Sequence, residues 1–216
     1  MKRLIILCCL LFAAAGYGQT PEPAVNYYAK DGTVSATDGT VYCVDGADSP
    51  TITICNAENR YTAADASSSL YYKDGRRLET VEEYGRVDGA VADQEAFTRI
   101  FREMFTDEQI VALRTLRLPL AVGCTVDPET GVQLEVKFAI GNYPEMTSLP
   151  PDFYRTFEKR LKEEVRWNVN DFAKQLKYMF GLTVLNFRKL PLTSELHQFK
   201  PGLEEINQGE EVGLHH

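Results

Sequence analysis

Residues 116–140 read LRLPLAVGCTVDPETGVQLEVKFAI, two apolar alternations that meet across a DPETG turn. Leu118, Leu120, Val122, Cys124 and Val126 recur at every second position, and so do Val132, Leu134, Val136, Phe138 and Ile140. Side chains two apart on a strand share one face, so each run presents a continuous apolar face. Pro128 pins its own φ and Gly131 admits positive φ, which is the chemistry of a tight reversal. The segment is expected to be a β-hairpin with one apolar side. Gln133, Glu135 and Lys137 lie between the apolar positions and predict a wet opposite face. Cys124 falls on the apolar face and is expected to be a buried, inert thiol.

Downstream, Pro150 and Pro151 suit a helix start, where a missing N–H does no harm. Phe153, Phe157, Leu161 and Val165 then recur every four residues, with Arg155, Glu158, Lys159, Lys162, Glu163 and Arg166 as the charged side. An amphipathic helix laid on the hairpin's apolar face follows from this pattern. The stretch NDFAKQLKYMFG (170–181) predicts a second helix, with Asn170 as N-cap and Gly181 as C-cap. LTVLNFRKL (182–190) is expected to close the unit as a last strand before Pro191.

Upstream, Phe97, Ile100, Phe101, Met104 and Phe105 have helical spacing, and Thr106 with Gln109 forms a capping box that starts a second short helix. Before these helices, Asp-Gly recurs at 31–32, 38–39 and 45–46. Asp-Gly favours tight turns, so a meander of short antiparallel strands is expected. Lys73-Asp74-Gly75 signals another hairpin. The aspartates are too sparse for a calcium loop, which needs a denser comb of oxygens. Cys43 and Cys55 flank a turn-rich centre and are expected to form a disulfide in an oxidising compartment. Tyr27, Tyr28, Tyr42, Tyr61, Tyr71, Tyr72 and Tyr84 make this half tyrosine-rich; such residues pack in sheets or, exposed, offer a platform to protein or carbohydrate.

The first residues, MKRLIILCCLLFAAAGYGQT, join a basic pair, a short apolar run and small residues. That pattern predicts a secretory signal at 1–18, cleaved between Gly18 and Gln19, and hence a secreted or periplasmic location. Cys8 and Cys9 are poorly placed for lipidation. Without Lys2 and Arg3 the chain has 21 basic against 31 acidic residues, a net charge near −10. That balance opposes nucleic-acid binding and adsorption to anionic lipid.

The order strand, VDPETG turn, strand, Pro-initiated helix ending in a Trp, late strand resembles the C-terminal domain of TonB-type energy transducers. Val122 to Phe138, Phe153 to Trp167 and Val184 to Leu190 carry the resemblance, over about a third of the chain. It implies a domain that binds partner segments by adding a strand at a sheet edge. Without the anchor and Pro-rich spacer of a transducer, only the domain shape carries over. With a mature end at Gln19, the chain is also similar to uncharacterised secreted proteins of gut anaerobes.

Catalytic motifs are scarce. His197, His215 and His216 all follow the last expected strand. Zinc-protease, nucleophile-elbow, phosphate-loop and dinucleotide signatures are missing. The acidic pairs Glu82–Glu83, Glu163–Glu164 and Glu204–Glu205 are the remaining acid/base candidates. No cofactor and no metal site is expected. The sequence thus predicts an α+β protein: a β-rich part at 19–90, a helical pair at 91–117, a ββα(α)β part at 118–192 and a polar tail at 193–216. The leading functional expectation is an exported, non-catalytic binding or assembly protein of the cell envelope, its partner a protein or glycan. Tyr71, Tyr72 and Trp167 are candidate partner-binding residues. A carboxylate-dependent glycan hydrolase and a secreted inhibitor or immunity-type protein are the alternatives.

Overall fold

A computed structural model describes residues 24–61, 69–193 and 195. The expected signal segment 1–18 lies outside them, as do Glu204–Glu205 and the three histidines. In chain order the strands are β1 (Gly32–Ser35), β2 (Val41–Asp45), β3 (Thr51–Asn56), β4 (Gly89–Val91), β5 (Leu120–Val126), β6 (Gln133–Gly141), β7 (Trp167–Val169) and β8 (Met179–Val184). The helices are α1 (Val81–Gly85), α2 (Gln94–Met104), α3 (Asp107–Leu113), α4 (Pro144–Thr147) and α5 (Pro151–Glu164). The fold is α+β, as the period changes along the chain require.

The hairpin is the centre of the molecule. β5 and β6 pair antiparallel, Val122 opposite Phe138, and Leu120, Val122, Cys124 and Val126 are buried together. The turn closes as its residues dictate. Asp127 accepts from the Glu129 amide and the Thr130 hydroxyl, and Gly131 sits at φ 69. A Cβ on Gly131 would lie 2.2 Å from the Trp167 carbonyl oxygen, so no larger residue fits.

The two sequence halves share one sheet. Its order is β1-β2-β3-β6-β5-β8, antiparallel throughout, because β3 adds to the outer edge of β6 with Ile54 opposite Phe138. The meander forms on Asp-Gly turns at Gly39 (φ 87) and Gly46 (φ 81). The helices cover one face of the sheet. The core there is aromatic: Phe157 of α5 meets Phe138 of the sheet at 5.4 Å and Phe101 of α2 at 4.8 Å between ring centroids. The expected capping box of α3 is present, Thr106 bonding the Gln109 amide and the Gln109 side chain returning to the Thr106 amide.

Four local expectations change. The stretch 170–181 is no helix: only Ala173–Gln175 turns, as a 3-10 element, and the last strand is 179–184 rather than 182–190. Gly181 is therefore a mid-strand residue. It lies under the Trp167 indole, whose ring carbon would stand 2.5 Å from a Cβ. A register shift between Thr125 and Val126 turns Leu134 outward and Gln133 inward, where the Gln133 amide donates to the Leu161 carbonyl. Glu135 is buried too, accepting from the Arg60 and Tyr61 amides. Lastly, Glu158 is not on a solvated helix side. It is 1% exposed and accepts from the Tyr42 hydroxyl at 2.6 Å and the Lys162 ammonium at 2.6 Å.

Candidate functional site

The residues singled out from sequence do not assemble into one platform. Tyr72 is buried; its hydroxyl donates to Glu83 Oε1 at 2.9 Å, and its ring lies under the Arg76 guanidinium and edge-on to Phe172. Tyr71 packs against the same small cluster, with its carbonyl held by the Lys177 amide. Trp167 belongs to another cluster, with Cys124, Val126 and Met179, and plugs the space below β8. Its Nε1 is buried, with no hydrogen-bond partner among the described residues. Cys43 and Cys55 are direct cross-strand partners on the helix-free face of the sheet, and both thiols are unbridged. The Ala57 amide bonds the Val41 carbonyl two residues along, which makes Cys43–Cys55 a hydrogen-bonded pair. Such pairs have Cα atoms about 5.5 Å apart, inside the disulfide range.

One carboxylate of each described acidic pair is engaged in structure. Glu83 caps α1 and accepts from the Glu79 and Thr80 amides, which hold its carboxyl below the ordinary range. Glu164 is held low by Arg160, with Arg99 also in reach. Neither is poised as a general acid, which needs a raised value. The Cys124 thiol is pushed up to about 12 by burial, so it is no nucleophile at neutral pH. Among the described residues no group of three His, Cys, Asp or Glu gathers as a metal site. No described helix is long and apolar enough to cross a membrane. A depression of about 1060 Å³ runs along α2, and four of its six charged residues are paired with neighbours: Arg102 with Asp107, Arg99 with Glu164 and Glu103 with Arg160.

The unspent binding capacity is at the sheet edges. β1 is short and polar (GTVS), and the turn after it is tied down: Thr37 donates to Asp152, and Asp38 pairs with Arg155 at 2.8 Å. β8 is different. The Leu185 amide bonds the Leu120 carbonyl, which fixes the ladder. Residues 179, 181 and 183 then turn their backbone groups to β5, and Phe180, Leu182 and Val184 turn theirs outward. No described strand pairs with them. Their side chains share the helix-free face, where Leu182 is 71% and Val184 49% exposed. Beside them on β5 lie only the small residues Ala121, Gly123 and Thr125. At one end Phe180 continues into Tyr178 and Tyr61, with centroids 5.5 and 4.4 Å apart. At the other end a depression of about 430 Å³ opens between the 113–119 segment and residues 184–188. Leu118 stands on its rim at φ 49, 64% exposed. That conformation is an outlier for a bulky residue.

A family model for a domain of unknown function, DUF5043, matches residues 25–182. The chain belongs to the DUF5043 family. A solved DUF5043 protein from Bacteroides uniformis is 25% identical to it, with a TM-score of 0.59, over 75% of this chain and 94% of that one. Among curated proteins none matches. The family match spans the body of the chain from before β1 into β8, rather than a TonB-type domain over its last third. The DUF5043 domain thus takes in both sequence halves, in keeping with the single sheet they build. The edge strand was missed from sequence because MFGLTV was divided between a helix and a later strand. Its signal was Phe180, Leu182 and Val184 at every second position, without a charge among them.

Proposed function

We propose that this DUF5043 protein is an exported, non-catalytic binding or assembly protein of the cell envelope, and that it takes an extended polypeptide segment of its partner onto the outer edge of β8. The observation that carries this reading is the edge itself: outward backbone groups at Phe180, Leu182 and Val184, with apolar side chains exposed beside them. A long apolar edge is a hazard that natural sheets blunt with charge, proline or bulges. β8 has none of these, and strand addition is the recognition mode that uses such an edge. Export rests on the signal-like residues 1–18. In an oxidising compartment Cys43 and Cys55 form a disulfide by exchange with a disulfide donor, which takes up their two electrons.

Leu182→Pro tests the reading. The Leu182 amide points outward, so proline removes a donor from the open edge and leaves the β5 ladder intact. Envelope extracts are passed over the wild-type and variant proteins, with thermal unfolding as the control for folding. Specific partners retained by the wild type and lost with Leu182→Pro are expected. The same partners on both proteins, or no reproducible partner on either, overturns the proposal.

A further inference from the structure

The depression at the C-terminal end of β8 has a chemical character at odds with the rest of the chain. The protein carries a net charge of −8. Yet the charged residues lining this depression are Arg114, Arg117 and Arg188, with no carboxylate among them. Arg114 is partly committed: its guanidinium donates to the carbonyls of Leu190 and Phe187 and lies 3.4 Å from Glu195. Arg188 uses its Nε on the Arg114 carbonyl, and its side chain is exposed. Arg117 is exposed, and among the described residues neither it nor Arg188 has a carboxylate within 4 Å. Arg114 is thus held in place by the backbone, and Arg117 and Arg188 are the two exposed cationic side chains of the lining. Val184 belongs to both the depression and the open edge, so the two surfaces are continuous.

We infer that this arginine-lined depression receives a carboxylate from the same segment that adds to β8. The inference rests on the strand-addition reading and names the chemistry of the partner. Every pairing in the sheet is antiparallel. A segment continuing that pattern runs opposite to β8, so it passes Val184 first and Phe180 last. Its residues opposite Val184, Leu182 and Phe180 put their side chains on the helix-free face beside these apolar groups. The residues just before them reach the depression. The partner sequence is then one or two Asp or Glu followed by about five residues apolar at alternate positions. Guanidinium groups bind carboxylates through paired, charge-assisted hydrogen bonds. A second copy of this chain fits less well. β8 paired with itself about Leu182 would bring the basic residues at its two ends, Lys177 and Arg188, towards each other.

The test is selection from a phage-displayed library of random dodecapeptides on the mature protein, on Leu182→Pro, and on Arg117→Gln/Arg188→Gln. Both arginine changes are at exposed positions and leave Arg114 in place. On the wild type the expected outcome is alternating apolar peptides with acidic residues clustered at one end. On the double arginine variant the acidic bias disappears, and a synthetic wild-type winner binds about tenfold more weakly, the size expected for two partly exposed ion pairs. Alternation without acidic bias, or a bias unchanged in the arginine variant, overturns the depression as a carboxylate site and leaves the edge reading standing. Acidic peptides without alternation that bind Leu182→Pro equally well overturn the edge reading and retain an anion site. No enrichment on the wild type overturns both.

Discussion

Removing the Glu158 carboxylate should destabilise the fold through a hydroxyl on another element. Glu158 is 1% exposed, and its partners are the Tyr42 hydroxyl at 2.6 Å, Lys162 Nζ at 2.6 Å and the Asn56 amide at 3.4 Å. Lys162 keeps 31% of its side chain in solvent and can turn outward when its partner goes. Tyr42 cannot, being 1% exposed on the inner face of β2. In Glu158→Leu the loss is therefore the charge-assisted bond to Tyr42 plus the stranded hydroxyl, about 2–4 kcal/mol. Removing the hydroxyl alone, in Tyr42→Phe, costs about 1–2 kcal/mol because Lys162 and Asn56 still satisfy the carboxylate. In the double variant no hydroxyl is stranded, so the cost should fall short of the sum by about 1–2 kcal/mol. Urea unfolding of the four proteins, with a common m-value, completes the cycle. Additive single effects, or a Glu158→Leu cost below about 0.5 kcal/mol, would refute the network as a unit.

Three further outcomes are expected. Gly131→Ala forces a positive φ on alanine and drives its Cβ into the Trp167 carbonyl, so it should cost about 2–4 kcal/mol in urea unfolding; an unchanged midpoint would refute that steric reading. Protein matured in an oxidising compartment should show one reactive thiol when denatured, Cys124, and three after reduction, the Cys43–Cys55 bridge adding about 3 kcal/mol; three thiols before reduction refutes the bridge. Asp38, held at about 2 by Arg155 and Thr40, and Asp152, Glu83 and Glu164, also held low, all ionise more readily folded than unfolded. Their stabilisation is present above the unfolded values of about 4 and is lost as pH falls towards about 2. Melting temperature should be flat above about pH 5 and decline below it, less steeply in Asp38→Asn; an equal decline in that variant removes Asp38 from the account.

What could be read from sequence was what local chemistry decides. The DPETG turn, the Asp-Gly meander and the Thr106 capping box are set by residues in contact with their own neighbours, and all three formed. Where a distant element chose the outcome, local pattern misled. A row of residues four apart turns about 40° around a helix at each step, since each residue advances about 100°. The row Phe153, Phe157, Leu161, Val165 therefore slews across α5, and its mean direction lies about 40° from Tyr154 and about 80° from Glu158, both buried. Plotted by angle, Tyr154 falls between Leu161 and Val165 and Glu158 lies about 20° beyond Val165, so its burial at the margin of the apolar face was there to be found. Gln133 and Leu134 exchanged faces through one extra residue in the ladder, which no alternation count reveals.

β8 shows how such an override bears on function. NDFAKQLKYMFG has helix formers enough for a second helix, but its apolar residues have other uses in the fold. Phe172, Leu176 and Tyr178 are drawn into the cluster around Tyr72, and at Gly181 the Trp167 ring leaves no room for a Cβ. With those contacts made, the chain is extended by Met179, and the six-residue strand pairs along β5 with its alternate backbone groups turned outward. The same packing decides which side chains remain outside. Met179 goes inward to Cys124 and Val126, and Phe180, Leu182 and Val184 are left on the open face. The exposure of Leu182 is thus a consequence of how Trp167 anchors the strand from below. Trp167→Ala should therefore loosen β8 and weaken partner capture without touching the edge, whereas Leu182→Pro should abolish capture with little change in melting temperature. Amide exchange at Gly181 and Thr183, whose backbone groups face β5, separates the two. Faster exchange in Trp167→Ala and near wild-type exchange in Leu182→Pro are expected, and equal protection in both variants would refute Trp167 as the anchor of the edge.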